Sequence, residues 1–131
     1  MLVARRLGAW IKKTGLAHAA AFEGCSAPEN LTGEIARFKP SHVLLVDAAY
    51  LGKSPGEVVL LDAAGIGGVS FSTHMLPAPI VLDYLEKTAG CRTLVVGIQP
   101  EQTDVLGPIS RPVAKAIEAI VATVRAALRG G

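Results

Sequence analysis

Three residues with acid–base or ligand chemistry stand where an apolar run gives way to polar chain: Glu23, Asp47 and His74. Asp47 ends the run HVLLV, Glu23 follows the Ala-rich stretch 16–22, and His74 sits within Ser72-Thr73-His74-Met75-Leu76-Pro77. A carboxylate paired with a neutral imidazole offers the oxygen and nitrogen donors that suit Zn²⁺- or Ni²⁺-like ions. Two donors make a weak site, so firm binding needs a third. Each residue also has a plainer role. Asp47 can cap a turn or helix, His74 can be a satisfied polar residue near a helix cap, and Glu23 can be an exposed turn residue. Residue type alone leaves both roles open.

Other candidates are thinner. Cys25 lies close to Glu23, but no histidine is placed locally to activate it as a nucleophile. His18 and His42 fall inside or before apolar runs, where packing is the expected role. Gln99 and Glu101 follow the run RTLVVGI and join the polar residues expected at strand ends. The serine-hydrolase elbow GxSxG, the P-loop and the HExxH zincin motif are missing from the sequence. The segment Gly65 to Gly68 does not link a strand to a helix in a GxGxxG register, which argues against a dinucleotide site.

The elements that must position these residues alternate between helical and strand patterning. Leu2 to Thr14 reads as a helix ended by Gly15, with Val3, Leu7, Trp10 and Ile11 as its apolar stripe. That amphipathic reading outweighs the transit-peptide look of an acid-free segment bearing Arg5, Arg6, Lys12 and Lys13. Leu16 to Phe22 reads as a short strand, and Ala27 to Lys39 as a helix with Ile35 and Phe38 inward. His42 to Val46, Glu57 to Leu61 and Arg92 to Ile98 read as buried strands. Ser54-Pro55-Gly56 is a turn signal, and Ala64 to Ser72 a glycine-rich loop. Ser72 or Thr73 caps a helix from about His74 to Lys87, with Pro77 and Pro79 in its first turns. Pro112 opens a last helix through Leu128, with Val113, Ala116, Ile117, Ile120 and Val124 on one face. The order α-β-α-β-β-α-β-α predicts an α/β three-layer sandwich, a mostly parallel twisted sheet between helices. In such folds ligands bind outside the carboxyl ends of the strands, where Glu23, Asp47 and Gln99 are expected.

Composition narrows the class. The 131 residues suit one domain spanning 1–131, and they are 50% hydrophobic but only 18% charged, which excludes disorder. No apolar run approaches the ~20 residues of a membrane span. Formal net charge is +2 and aromatics are 5%, too few for single-strand stacking platforms, so neither nucleic acid nor membrane is an expected partner. Cys25 and Cys91 lack a CxxC spacing, which favours a reduced, cytoplasmic setting over a disulfide framework.

Four strings then occur in order: Gly24-Cys25-Ser26-Ala27-Pro28-Glu29-Asn30; Lys39-Pro40-Ser41-His42 running into Leu44-Leu45-Val46-Asp47-Ala48; Ser72-Thr73-His74-Met75-Leu76-Pro77; and Gly97-Ile98-Gln99-Pro100-Glu101. Together the chain resembles the [NiFe]-hydrogenase maturation endopeptidases, especially the branch serving hydrogenase-3-type enzymes. The resemblance runs from the first helix to the last. It implies a phosphorylase/hydrolase-like sheet carrying two acidic residues and one histidine. It also implies an endopeptidase that clips a C-terminal peptide from a hydrogenase large-subunit precursor, with the precursor's nickel as recognition element. By position, Asp47 matches the second acidic ligand and His74 the histidine. Glu23 falls at a usually acidic position near the site that is not counted among the ligands.

The same resemblance carries one departure. Family members open with an apolar strand and a glycine-rich turn of GNxxxGDDGxG type bearing the first acidic ligand. Here Met1 to Leu7 already reads as the helix that follows, so an N-terminally shortened fold without that strand and ligand is expected. Such a fold would leave strand edges or apolar surface uncovered and favour self-association. The competing expectation is a catalytically reduced module that grips the large subunit without cleaving it.

Overall fold

A parallel pair of strands with helices against both faces organises the chain. In the computed structural model, which describes residues 2–22, 28–61, 70–71, 78–101 and 109–130, the element order is α1 (Leu2–Thr14), α2 (Pro28–Phe38), β1 (His42–Tyr50), β2 (Val58–Leu61), β3 (Ser70–Phe71), α3 (Ala78–Ala89), β4 (Arg92–Ile98) and α4 (Arg111–Gly130). The strands form one sheet in the order β2-β4-β1-β3. β1 and β4 run parallel in register from His42↔Arg92 to Ala48↔Ile98. β2 pairs antiparallel with β4, and β3 antiparallel with β1. The sheet is therefore mixed, not mostly parallel: only the central ladder of the described residues is parallel.

Strand alternation sends successive side chains to opposite faces, and the two hydrophobic clusters follow it. On one face Val46, Val96 and Ile98 meet Val3 and Leu7 of α1 and Val113, Ala116, Ile117, Ile120 and Val121 of α4. On the other, Val95, Leu45 and Leu61 meet Leu82 of α3. Thr93, on that second face, donates its hydroxyl to Glu86 of α3. The expected inward stripe of α4 is thus the one observed. The cover is uneven, since Leu60 and Val58 of the edge strand β2 remain 64% and 43% exposed.

Several expected elements differ. Residues 15–22 form no strand. Five of the seven residues from Leu16 to Phe22 are Ala or His, without the branched side chains that suit a pleated sheet. Instead Ala21 packs into the α1–α4 cluster, and Phe22 meets Phe38 edge to face at 6.4 Å. Phe38, expected inward, is consequently 38% exposed at the end of α2. Ser70–Phe71, expected in a loop, forms the short strand β3, with Ala49↔Phe71 and Tyr50↔Ser70 paired. β1 continues past Val46 to Tyr50, because Ala48 pairs with Ile98 and the antiparallel pairs with β3 extend it. The start of the expected helix from His74, with Pro77, lies outside the described residues, and α3 is described from Ala78.

The turn signals are read correctly. α1 ends with Gly15 at φ 72°, whose N–H donates to the Ile11 carbonyl at 2.9 Å. Before β2, Glu57 N donates to Ser54 O at 3.1 Å with Gly56 at φ 87°, the type II turn that Pro followed by Gly encodes. Gly56 also lies against α4: a Cβ there would sit 2.6 Å from the Pro112 carbonyl oxygen. Gly52, at φ 68°, has open space around it. Gly52→Ala should therefore cost only the left-handed strain, about 1 kcal/mol. Gly56→Ala adds displacement of Pro112 and should cost about 3 kcal/mol. Urea unfolding of the two variants measures both, with a larger drop in midpoint for Gly56→Ala.

Candidate functional site

The site is built at the carboxyl ends of β1 and β4. Asp47 lies inside β1, not after it, in register with Gly97 of β4. By alternation its side chain shares the face of Leu45, the side covered by α3. It is half-buried, and its Oδ1 accepts the Ala48 N–H at 2.9 Å. That bond orients one carboxylate oxygen by its own backbone.

The neighbours of Asp47 on this face are small. Ala49 is fully buried, and a Cβ on Gly97 would stand only 3.0 Å from the Ala49 Cβ. Any side chain at position 97 would crowd Ala49 and meet the Leu51 side chain at 3.7 Å. A glycine interrupting a β-branched run is a recognised mark of close approach, and it is the signal by which the role of Gly97 could have been read from LVVGI.

Gln99 does something other than face a ligand. Its Oε1 accepts the Leu51 N–H at 2.7 Å and the Lys53 N–H at 3.4 Å. Its Nε2 donates to the Pro100 carbonyl at 3.2 Å. Its backbone N–H donates to Glu57 O at 2.9 Å, and its carbonyl accepts Gly56 N–H at 2.8 Å. One side chain and its backbone therefore tie the segment leaving β1, the turn before β2 and the end of β4 together. The polar residue after the strand was legible in the sequence; its use as a backbone clamp was not, because nothing local links position 99 to position 51.

Glu23 and His74 lie outside the described residues, as do Cys25 and the glycine-rich segment 62–69. His18 and His42 are exposed, and His42 Nδ1 sits 2.9 Å from the Ser41 hydroxyl. Cys91 is a free, buried thiol that donates to the Leu85 carbonyl at 3.5 Å. Among the described residues no three His, Cys, Asp or Glu side chains come together as a metal-holding group. Nor is any described helix long and apolar enough to cross a membrane.

A half-buried carboxylate at the carboxyl end of a parallel ladder, in register with a glycine packed under Ala49 and Leu51, is found in a chain whose residues 2–127 match the family of HycI hydrogenase maturation proteases. The chain belongs to that family. It is 35% identical over 99 residues to a hydrogenase maturation protease homologue of Methanocaldococcus jannaschii, covering 76% of this chain and 58% of that one. It is 32% identical over 99 residues to the hydrogenase 3 maturation protease of Escherichia coli, covering 75% and 63%. The match thus spans less than two thirds of these relatives' length. The fold agrees with the crystal structure of the [NiFe] hydrogenase maturation protease HycI from Thermococcus kodakarensis, with TM-score 0.78, 31% identity, and 98% of this chain and 80% of that one covered. The α/β arrangement of this chain is therefore that of a hydrogenase maturation protease.

Removing the Gln99 side chain should loosen the clamp without dismantling the ladder. Gln99→Ala is expected to cost about 1 kcal/mol of global stability. Hydrogen exchange at the Leu51 and Lys53 amides should accelerate roughly tenfold, the equivalent of ~1.4 kcal/mol, while amides of β1 itself change little. NMR-detected exchange on the two proteins measures this.

Proposed function

We propose that this chain is a hydrogenase maturation endopeptidase that removes the C-terminal peptide of a nickel-loaded [NiFe]-hydrogenase large-subunit precursor. The single observation that supports it most is the family match over residues 2–127, joined to Asp47 at the carboxyl end of the parallel ladder. The complete domain is read as a three-layer sandwich, with α1 and α4 on one face of the sheet and α3 on the other. The setting is read as cytoplasmic, in keeping with the free Cys91 thiol.

In this reading Asp47 and His74 contact the nickel that the precursor brings with it. Nickel is cargo of the substrate, and oxygen and imidazole nitrogen donors suit it. Connectivity supports the pairing of these two residues. Ala49, two residues beyond Asp47, pairs with Phe71, and His74 follows Phe71 by three residues, a length of chain that reaches at most ~11 Å. The half-buried Asp47 carboxylate, oriented through the Ala48 N–H, would supply an oxygen donor to the metal. Polarising the scissile carbonyl makes it open to attack by water. The water oxygen forms the new C–O bond, the C–N bond breaks, and the proton goes to the leaving amine. The products are the shortened large subunit and a free C-terminal peptide.

Gly97 has a place in this reading as well. With no side chain at position 97, Ala49 and Leu51 pack directly on β4, which fixes the strand that carries the Asp47 carboxylate.

Intact-mass spectrometry of a nickel-loaded large-subunit precursor incubated with the chain tests the reading. Loss of a short C-terminal fragment is the expected result. Asp47→Ala/His74→Ala should slow cleavage by on the order of a hundredfold or more. Co-purification of an uncut precursor with the unmutated chain would replace the peptidase with a module that binds the large subunit. Neither cleavage nor binding would overturn the reading.

A further inference from the structure

At the end of the molecule formed by the carboxyl ends of α1 and α4, Trp10 carries two guanidinium groups at once. The Cζ atoms of Arg125 and Arg129 each lie 5.6 Å from the Trp10 ring centroid. Lys13 and Arg6 lie on the same stripe of α1 as Trp10, three residues after it and four before. Arg6, Lys12, Lys13 and Arg129 are exposed. α1 contains no acidic residue, and the one acid of α4, Glu118, is two turns before Arg125.

Three observations make this more than a solvated basic face. Stacking on Trp10 holds Arg125 and Arg129 side by side, and among the described residues no salt bridge to either arginine is formed. Nε of Arg125 is buried with no hydrogen-bond partner among the described residues. Third, the helix dipoles do not balance the charge. Each helix carboxyl end supplies about half a negative charge, so the two together offset about one of the three cations Lys13, Arg125 and Arg129.

The chemistry of the patch selects its partner. A guanidinium fixed by stacking presents a planar fork that suits a carboxylate bidentately. Single-stranded nucleic acid would need several aromatic platforms, and Trp10 stands alone on these helices. A membrane surface would need apolar side chains to insert, and none of the exposed large hydrophobic residues is on α1 or α4. We infer that the α1–α4 end is a docking site for an acidic segment of a protein partner, held by Arg125 and Arg129 over Trp10. This inference stands apart from the peptidase reading and from the Asp47 end of the sheet.

Trp10 is the one tryptophan of the chain, so its fluorescence reports on this site alone. Titration of the intact chain with a glutamate hexapeptide should give a saturable change in emission. Raising sodium chloride from about 0.05 M to about 0.5 M should weaken that binding strongly, since the Debye length shortens several-fold. Arg125→Gln/Arg129→Gln should lower the affinity at least tenfold. If that variant does not fold, Arg6→Gln/Lys13→Gln, which leaves the stack on Trp10 intact, is expected to lower it severalfold and decides in its place. No emission change with the peptide, or an affinity unaltered in the folded variant, would sink the inference. So would tighter binding of oligothymidine or of inorganic phosphate than of the peptide.

Discussion

The parallel ladder between β1 and β4 is the constraint on which the rest of this protein depends. Parallel strands cannot be joined by a tight turn, so a long crossover must return the chain to the same end of the sheet. Here that crossover carries β2, β3 and α3, and it ends with α3 laid on one face while α1 and α4 cover the other. Because β1 and β4 are wrapped from both sides, Val95 and Val96, adjacent in sequence, are both buried, at 0% and 4% exposure, in different clusters. A slip of one residue in this register would swap those faces and break both clusters. The register is also what sets Asp47 against Gly97.

At the carboxyl ends of these strands the packing is carried by small residues, with Ala49 fully buried against Gly97. Further back along the ladder Val95 and Val96 fill the two faces; at Asp47, Ala49 and Gly97 the residues are short or polar. A site needs space for a substrate chain, and the lost packing has to be replaced by other forces. Gln99 replaces it with directional bonds. Its side-chain carbonyl takes two backbone N–H groups from the segment leaving β1, and its own backbone is bonded to the turn before β2. Hydrogen bonds hold a loop in place without filling the volume above it, which fits them for a site rim better than apolar contacts. The type II turn at Ser54–Glu57 ends against Pro112, so the rim is also braced on α4.

The two ends of the α1–α4 pair differ in chemistry for a related reason. Toward the start of α1 and along α4, the contact is aliphatic and dry, through Val3, Leu7, Val113 and Ile117. Near the helix carboxyl ends it becomes an aromatic ring with two cations, with Trp10 half-buried and Arg129 exposed. Long arginine stems extend the apolar contact while their charged heads reach solvent. The stack therefore closes the helix pair and at the same time gathers positive charge on one side of the molecule, away from the strand ends where Asp47 lies.

Local sequence determined most of the elements and several of their details. The 3.6-residue stripes of α1 and α4, the branched runs of the strands, Gly15 as a helix stop and Pro55-Gly56 as a type II turn all act within a few residues of themselves, so periodicity and turn chemistry sufficed. The four ordered strings around Asp47, His74 and Gln99 carried the family as well. What the sequence could not determine is what long-range pairing supplies. Ser70–Phe71 is a strand because Ala49 and Tyr50 offer it an edge, and Leu16 to Phe22 is not one because its alanines gain more by packing Ala21 into the helix cluster. β1 runs on through Asp47 for the same reason: β4 and β3 offer partners beyond Val46, which no local propensity could announce. The antiparallel direction of β2, the crowding of Gly97 by Ala49, the hold of Gln99 on Leu51 and the meeting of Trp10 with Arg125 and Arg129 each join residues far apart in the chain. Those contacts exist only once the tertiary fold has brought the strands into register and the helices onto the sheet.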